Sequence, residues 1–373
     1  MNFLDKIKLE DRLFLNNLSD IFKRNGLKLM IVGGYVRDIL LGVKKAKIDI
    51  DLSINASPDE VMNILKSVED IGVFDIGGRS HGTLIVVDKK NNTNFEITSC
   101  RKDIQTFGRH AEVEFTTSFE EDSMRRDFTM NAIYLDFNGE IYDYHGGIAD
   151  INARKIRFIG DAKTRITEDF LRIIRYFRFS HIIKDYSFEE INICKELSNE
   201  MQMLSKERIR SELLKLFESD NCAYLVDIML SNGIFDGIFK NCNISASGIK
   251  FIESIDDEIF LHTKITKSQG KLLNMLGGIG KNEIFRKYEQ KIVDIAAKTK
   301  DNDVTILAKY GLCRAFEIFL LLERKINHKA FIALSNLEYT KPDISSMHGA
   351  EISKAILDAK IKFYNDYMEN LQN

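Results

Sequence analysis

The 373-residue chain contains no tryptophan and only two prolines, Pro58 and Pro342. So few prolines leave helices free to run on. No Gly/Ser-rich stretch marks a flexible linker, so domains are expected to join through continuous structure. Five cysteines (Cys100, Cys194, Cys222, Cys242 and Cys313) lie far apart, with no CxxC or CxxH spacing. This argues against a zinc site or a disulfide framework and suits a reducing compartment. No run of about 18 apolar residues occurs that could span a membrane. The N-terminal MNFLDKIKLEDRLF interleaves charges with apolar residues, unlike a signal peptide. A cytoplasmic protein without membrane contact is expected. The net charge of −3 does not by itself announce a nucleic-acid partner, so the placement of charge matters more than its sum.

What is present is more than one compact core usually holds, and two or more domains are expected. Up to about residue 145, short β-like runs alternate with helical stretches. Leu27–Val32 reads as a strand running into Gly33-Gly34, followed by a helix over Tyr35–Leu41 with Gly42 placed to cap it. Ile48–Ile54 alternates as a strand, and Asp59–Val68 reads as a helix after Ser57-Pro58. Thr83–Val87 with Phe95–Thr98, and Ile133–Phe137 with Glu140–Tyr144 across Asn138-Gly139, read as hairpins. Beyond about residue 165, apolar residues recur at three- and four-residue intervals to near the C-terminus. The fold class expected is α+β: a mixed-sheet head followed by an all-helical remainder.

Charge is unevenly spread. Between Arg154 and Arg178 there are eight Lys/Arg against three acids, and between Lys264 and Lys300 nine against three. Such local excesses could track an RNA backbone, although a solvated helix face explains the second stretch equally well.

Asp49 and Asp51, two apart on an apolar strand, project to one face. Two carboxylates so close repel unless a cation lies between them, and hard oxygen donors of this kind suit Mg²⁺. A bare DxD is more often an ordinary exposed pair. Its surroundings sharpen it: Gly33-Gly34 at a strand-to-helix junction lets backbone N–H groups approach an anion, and Arg37 one turn later can grip a phosphate bidentately.

Gly33-Gly34-Tyr35-Val36-Arg37-Asp38 with Asp49-Ile50-Asp51 resembles the signature of class II tRNA nucleotidyltransferases, the CCA-adding enzymes and bacterial poly(A) polymerases, within the polymerase-β-like superfamily. The resemblance continues through Arg125-Arg126-Asp127-Phe128-Thr129-Met130-Asn131-Ala132 and a hinge-like segment, Asp143…Gly146-Gly147…Asp150-Ile151…Ile156-Arg157…Gly160. Glu168-Asp169-Phe170-Leu171-Arg172 and Glu207-Arg208-Ile209 complete it, over roughly residues 30–210.

The resemblance implies a catalytic head over 1–145, a nucleotide-selecting helical neck over 146–205 and an RNA-binding helical body and tail over 206–373. It implies that Asp49 and Asp51 hold two Mg²⁺ ions. Glu96 would be a third carboxylate near them, though simple solvation fits it nearly as well. Gly33, Gly34 and Arg37 would hold the triphosphate of CTP or ATP, and Arg125, Arg126, Asp127 and Asn131 the ribose and phosphates. Asp169 and Arg172, three apart and read as sharing one helix face, would imitate a Watson–Crick edge that accepts cytosine or adenine. Arg175 and Arg178 would contact nucleotide or primer.

The partners implied are tRNA and nucleoside triphosphates, with no obligate protein partner evident. His81 before Gly82-Thr83 and Phe107 before Gly108-Arg109 depart from the family pattern. Residues 98–125 correspond to a mobile loop that helps switch specificity from CTP to ATP. The full CCA-adding reaction is the favoured expectation. A-only addition, poly(A) tailing and an inactive RNA-binding paralogue are the alternatives.

Overall fold

The computed structural model describes residues 3–43, 49–75, 82–107, 110–182, 186–219, 221–239, 244–276, 284–324 and 327–370. His81, Gly108, Arg109, Cys242, Lys281 and Glu283 lie outside them. The chain divides into two compact units, Met1–Leu197 and Ser198–Asn373.

The first unit is built on a seven-stranded sheet. Its strands are β1 (Leu29–Val32), β2 (Asp51–Ile54), β3 (Ile71–Phe74), β4 (Thr83–Asp88), β5 (Thr93–Ser99), β8 (Ile133–Asp136) and β9 (Ile141–Asp143). They are ordered β3-β4-β5-β2-β1-β8-β9. All neighbours run antiparallel except β2 and β5, which are parallel. β1 (LMIV) is buried at every position, as a central strand covered on both faces must be.

Around the sheet lie α1 (Leu9–Arg24), α2 (Gly34–Leu40), α3 (Pro58–Leu65), α4 (Phe119–Met124), α5 (Gly147–Asn152), α6 (Ala162–Glu168), α7 (Leu171–Phe179) and α8 (Phe188–Leu197). α1 buries Phe14, Leu15, Leu18 and Phe22, a helical stripe, and Phe14 stacks on Phe95 of β5 with ring centres 5.6 Å apart. α3 begins as its sequence demands: Pro58 sits in the first turn, and the Ser57 hydroxyl accepts from the Glu60 amide at 3.3 Å.

Three expectations need correction. Asp49 and Ile50 precede β2, which begins only at Asp51. The stretch expected as a loop after Thr98 contains an antiparallel ribbon, β6 (Arg101–Phe107) with β7 (His110–Phe115), separate from the main sheet. β6 (RKDIQTF) has no apolar alternation; β7 (HAEVEF) does alternate, at Ala111, Val113 and Phe115, and that signal was passed over. Asp169 is not helical: its φ/ψ of −152°/102° ends α6, and α7 restarts two residues later. The two helices therefore meet at an angle-setting break, and Asp169 and Arg172 do not share a helix face.

The second unit is helical throughout its described residues: α9 (Lys206–Leu216), α10 (Cys222–Ser231), α11 (Ser247–Glu253), α12 (Asp257–Leu261), α13 (Lys267–Met275), α14 (Lys287–Lys298), α15 (Asp303–Leu321), α16 (His328–Ser335) and α17 (Ala350–Asn370). Ile306, Phe316, Phe319 and Phe331 form its main core against α17. A buried Arg210–Glu289 ion pair ties α9 to α14. No described helix is long and apolar enough to cross a membrane.

Candidate active site

Sheet register places the first motif. Val32 is the last residue of β1 and pairs with Asp51, whose parallel partner on β5 is Glu96. The Gly33-Gly34 corner therefore leaves the sheet next to two carboxylates that stand on the same face of adjacent strands, about 4.8 Å apart in the hydrogen-bonding direction. Asp49, Asp51 and Glu96 are all exposed. All three are hard oxygen donors of the kind that suits Mg²⁺, and the register brings Asp51 and Glu96 side by side; the three are not gathered within 4.8 Å of one another among the described residues. Gly33 has φ of +78° and ψ of −123°, a left-sided conformation that a side chain would strain, and this is why glycine stands there.

Arg37 projects from α2 into a chain of paired groups. Its Nε and Nη2 donate to Asp38 Oδ1 at 2.8 and 2.6 Å, and Nη1 donates to Asn131 Oδ1 at 2.7 Å. Asn131 Nδ2 donates to Asp127 Oδ1 at 3.0 Å, and Asp127 Oδ2 accepts from Arg175 Nε of α7 at 2.7 Å. Two motifs far apart in sequence thus meet, together with Arg175 of α7. Beneath them lies Phe179, whose ring carries the guanidinium groups of Arg178, Arg37 and Arg175 at 4.2, 4.8 and 5.5 Å. Sequence reasoning passed over Phe179. Its place directly after the Arg172, Arg175, Arg178 series was the available signal.

Arg125 and Arg126 both reach Asp122 on α4. Their main-chain carbonyls are held from the other side, by Arg172 Nη2 at 3.1 Å and Arg165 Nη2 at 2.9 Å respectively. Arg172 is buried and does not pair with the Asp169 carboxylate through its guanidinium. Its Nη1 donates to Glu168 at 2.7 Å and to the Arg165 carbonyl at 2.5 Å. Asp169 Oδ1 instead accepts from the Leu171 amide at 3.2 Å. Among the described residues these contacts use three of the five Arg172 N–H donors, fixing the plane of the guanidinium and leaving two to point elsewhere.

A model of the poly A polymerase head domain family matches residues 29–157, and one of a probable RNA and SrmB-binding site of polymerase A matches 191–244. The chain is 36% identical to the CCA-adding enzyme of Staphylococcus epidermidis over 84% of its own length and 78% of the relative's. The chain belongs to the CCA-adding tRNA nucleotidyltransferase family. It is also 38% identical to the mouse mitochondrial CCA tRNA nucleotidyltransferase 1, over 62% of this chain but only about half (53%) of that protein. Its fold matches the crystal structure of the Bacillus stearothermophilus CCA-adding enzyme in complex with CTP, with a TM-score of 0.63 at 22% identity over 95% of this chain and 96% of that one.

In this member of the family the hinge-like segment locks the RRDFT motif in place. Asp143 accepts from the amides of Gly147 and Ile148 at 2.8 and 2.9 Å. Asp150 Oδ2 accepts from Thr129 Oγ1 at 2.6 Å and from Arg157 Nε at 3.1 Å. The Thr129 amide in turn donates to the Arg157 carbonyl at 3.0 Å. Gly147 is packed so closely that a Cβ there would overlap the Thr129 carbonyl oxygen and lie 2.7 Å from its carbon. Gly147→Ala must push this strut apart. A loss of about 3 kcal/mol is expected, seen as a thermal midpoint lower by roughly 6–12 °C; a midpoint within 2 °C or so of wild type would refute the close packing.

Asp127 gives the family site a pH signature. Burial alone would raise its carboxyl, but Arg175, Asn131 and the Phe128 amide bring it down to about 2 from an ordinary 3.8. The stabilisation is complete above the ordinary value and is lost as pH falls through about 2. Asp127→Asn is expected to cost about 2 kcal/mol at neutral pH, with the gap from wild type closing between roughly pH 4 and 2. Urea midpoints measured across that range check it; a gap independent of pH would contradict the assignment.

Outside this region, Asp256, Glu258 and His328 bring one donor atom each within 4.8 Å of one another. They belong to the second unit and to none of the motifs.

Proposed function

We propose that this chain adds C, C and A to the 3′ end of tRNA, using CTP and ATP and releasing pyrophosphate. The observation that carries the reading is the register that sets the Gly33-Gly34 corner against Asp51 and Glu96. Family membership supplies the substrate class: relatives matched over most of this chain are named as CCA-adding enzymes.

Asp49 and Asp51, with Glu96 beside them, would hold two Mg²⁺ ions. Such ions acidify an attacking 3′-hydroxyl and neutralise charge on the triphosphate and the departing pyrophosphate. Arg37, backed by Phe179 and turned by Asn131, offers a phosphate-binding cation at the glycine corner. Arg125, Arg126, Asp127 and Asn131 orient ribose and phosphates. Arg172, braced by Glu168 and two carbonyls, presents its remaining donors to a base, and Asp169 accepts from an exocyclic amino group. Arg175 and Arg178 extend the cationic face toward nucleotide or primer.

The head is assigned to 1–145, the neck to 146–205 and the tRNA-binding body and tail to 206–373. Four described cysteines are free thiols, which suits a reducing, cytoplasmic setting.

Incorporation on three tRNA transcripts, ending before CCA, after C and after CC, tests the proposal. Ordered C, C, A addition that then stops is expected. A added only to the CC-ended transcript would make the chain an A-adding enzyme. Long A tails would make it a poly(A) polymerase, and tight tRNA binding without incorporation in Mg²⁺ would make it a non-catalytic binder.

A further inference from the structure

Asp122 lies in the stretch 98–125 but is none of the site residues read from the sequence, yet it is fully buried and its carboxylate accepts four hydrogen bonds. Its Oδ1 accepts from Arg125 Nε at 2.8 Å and from the Arg101 amide, at the root of β6, at 3.2 Å. Its Oδ2 accepts from Arg126 Nη2 at 3.1 Å and from the Tyr134 hydroxyl of β8 at 2.7 Å. The same Tyr134 hydroxyl accepts from Arg126 Nε at 3.1 Å. Two main-chain-anchored elements, β6 and β8, therefore fix the carboxylate plane, and one arginine is assigned to each oxygen.

We infer that Asp122 is the positioning residue that aims Arg125 and Arg126 at the bound nucleotide. The inference rests on the proposed nucleotidyl transfer and adds a residue to it. Two adjacent arginines repel each other and, left alone, would sample many rotamers before gripping a phosphate. A buried anion between them removes the repulsion and spends the ordering entropy before substrate arrives. Because the arginine carbonyls are simultaneously held by Arg165 and Arg172, side chains and main chain of this dipeptide are both fixed. Asp122 acts only through the arginines: its oxygens are occupied, and it is closed off from solvent.

The test is Asp122→Asn in the full chain. The amide keeps shape but turns an N–H toward one of the arginines. Binding of CTP, and separately of ATP, is measured by calorimetry in Mg²⁺ and compared with the same change made in an Arg125→Ala/Arg126→Ala background. Expected is a Kd raised about tenfold for both nucleotides in the single variant, the scale of a lost charge-assisted contact. Less than about twofold further loss is expected in the double-alanine background, where nothing remains to aim. A wild-type Kd in Asp122→Asn, or an equal loss in both backgrounds, would overturn the inference. Should Asp122→Asn not fold, Tyr134→Phe takes its place. It removes one donor to Oδ2 and is expected to weaken binding roughly threefold, an effect absent in Arg126→Ala; unchanged binding would again overturn the inference. Wild-type protein that binds neither nucleotide would overturn the proposed reaction itself, and the inference with it.

Discussion

Asp51→Ala is expected to lower the rate of nucleotide incorporation by at least about a thousandfold, equivalent to roughly 4 kcal/mol of transition-state stabilisation. Asp49→Ala should behave alike. Both carboxylates are exposed, and Asp51 sits at the very start of β2, where a smaller side chain leaves no cavity. Folding and thermal stability should therefore stay close to wild type. Binding of tRNA should change by less than about twofold, because affinity for RNA is carried by many backbone phosphate contacts and neither carboxylate can supply one. Single-turnover incorporation, with tRNA affinity measured on the same preparations, checks both parts. Turnover retained in both variants would remove the metal assignment. Activity and tRNA affinity lost together would indicate a folding or binding defect.

The second large effect is expected at nucleotide choice. A site that reads a base edge through hydrogen bonds rejects an analogue lacking them by large factors, because its buried polar groups are then left unpaired. Asp169→Ala should cut the preference for CTP and ATP over UTP and GTP by about a hundredfold, on that scale. Arg172→Ala should do the same but with a structural penalty, since its guanidinium also holds Glu168 and the carbonyls of Arg165 and Arg125. Glu168→Gln separates the two effects. It weakens the brace while leaving the Arg172 donors in place, so rate should fall more than selectivity. Competition between the four triphosphates on one tRNA measures this directly. Selectivity unchanged in both Asp169→Ala and Arg172→Ala would end the template reading.

How much of this was legible in the sequence differs by element. β1, β4, β5, β8 and β9 carried apolar alternation or an Asn-Gly turn, and their positions followed to within a few residues. The motifs named Arg37, Asp127, Asn131 and Arg175 separately, but nothing in their spacing said that they would join into one hydrogen-bonded chain. That depends on how α7 packs against the 127–131 segment. In the β6–β7 ribbon only β7 carried a period-two signal, Ala111, Val113 and Phe115 alternating with His110, Glu112 and Glu114, while polar β6 offered no partner pattern to match it. The break at Asp169 lacks Gly or Pro. There the Asp169 carboxylate accepts the Leu171 amide, a local side-chain bond that competes with the helix, and Arg165 and Arg172 on either side of the break reach the 125–126 carbonyls. Asp122 was overlooked for a related reason: Arg125 and Arg126 are its neighbours three and four positions on, but Arg101 of β6 and Tyr134 of β8 reach its carboxylate only through the fold.

The chain of bonds from Arg37 to Arg175 joins residues 138 positions apart. At roughly 5–20 residues per second, a ribosome needs on the order of ten seconds to pass from one to the other. During that interval β1, β2 and α2 can already exist, while Asp127 has no cation beside it and Arg37 has no aromatic floor. A nascent chain stalled before α7 emerges would therefore display the carboxylates of β2 and β5 with the bond between Asp127 and Arg175 still unmade.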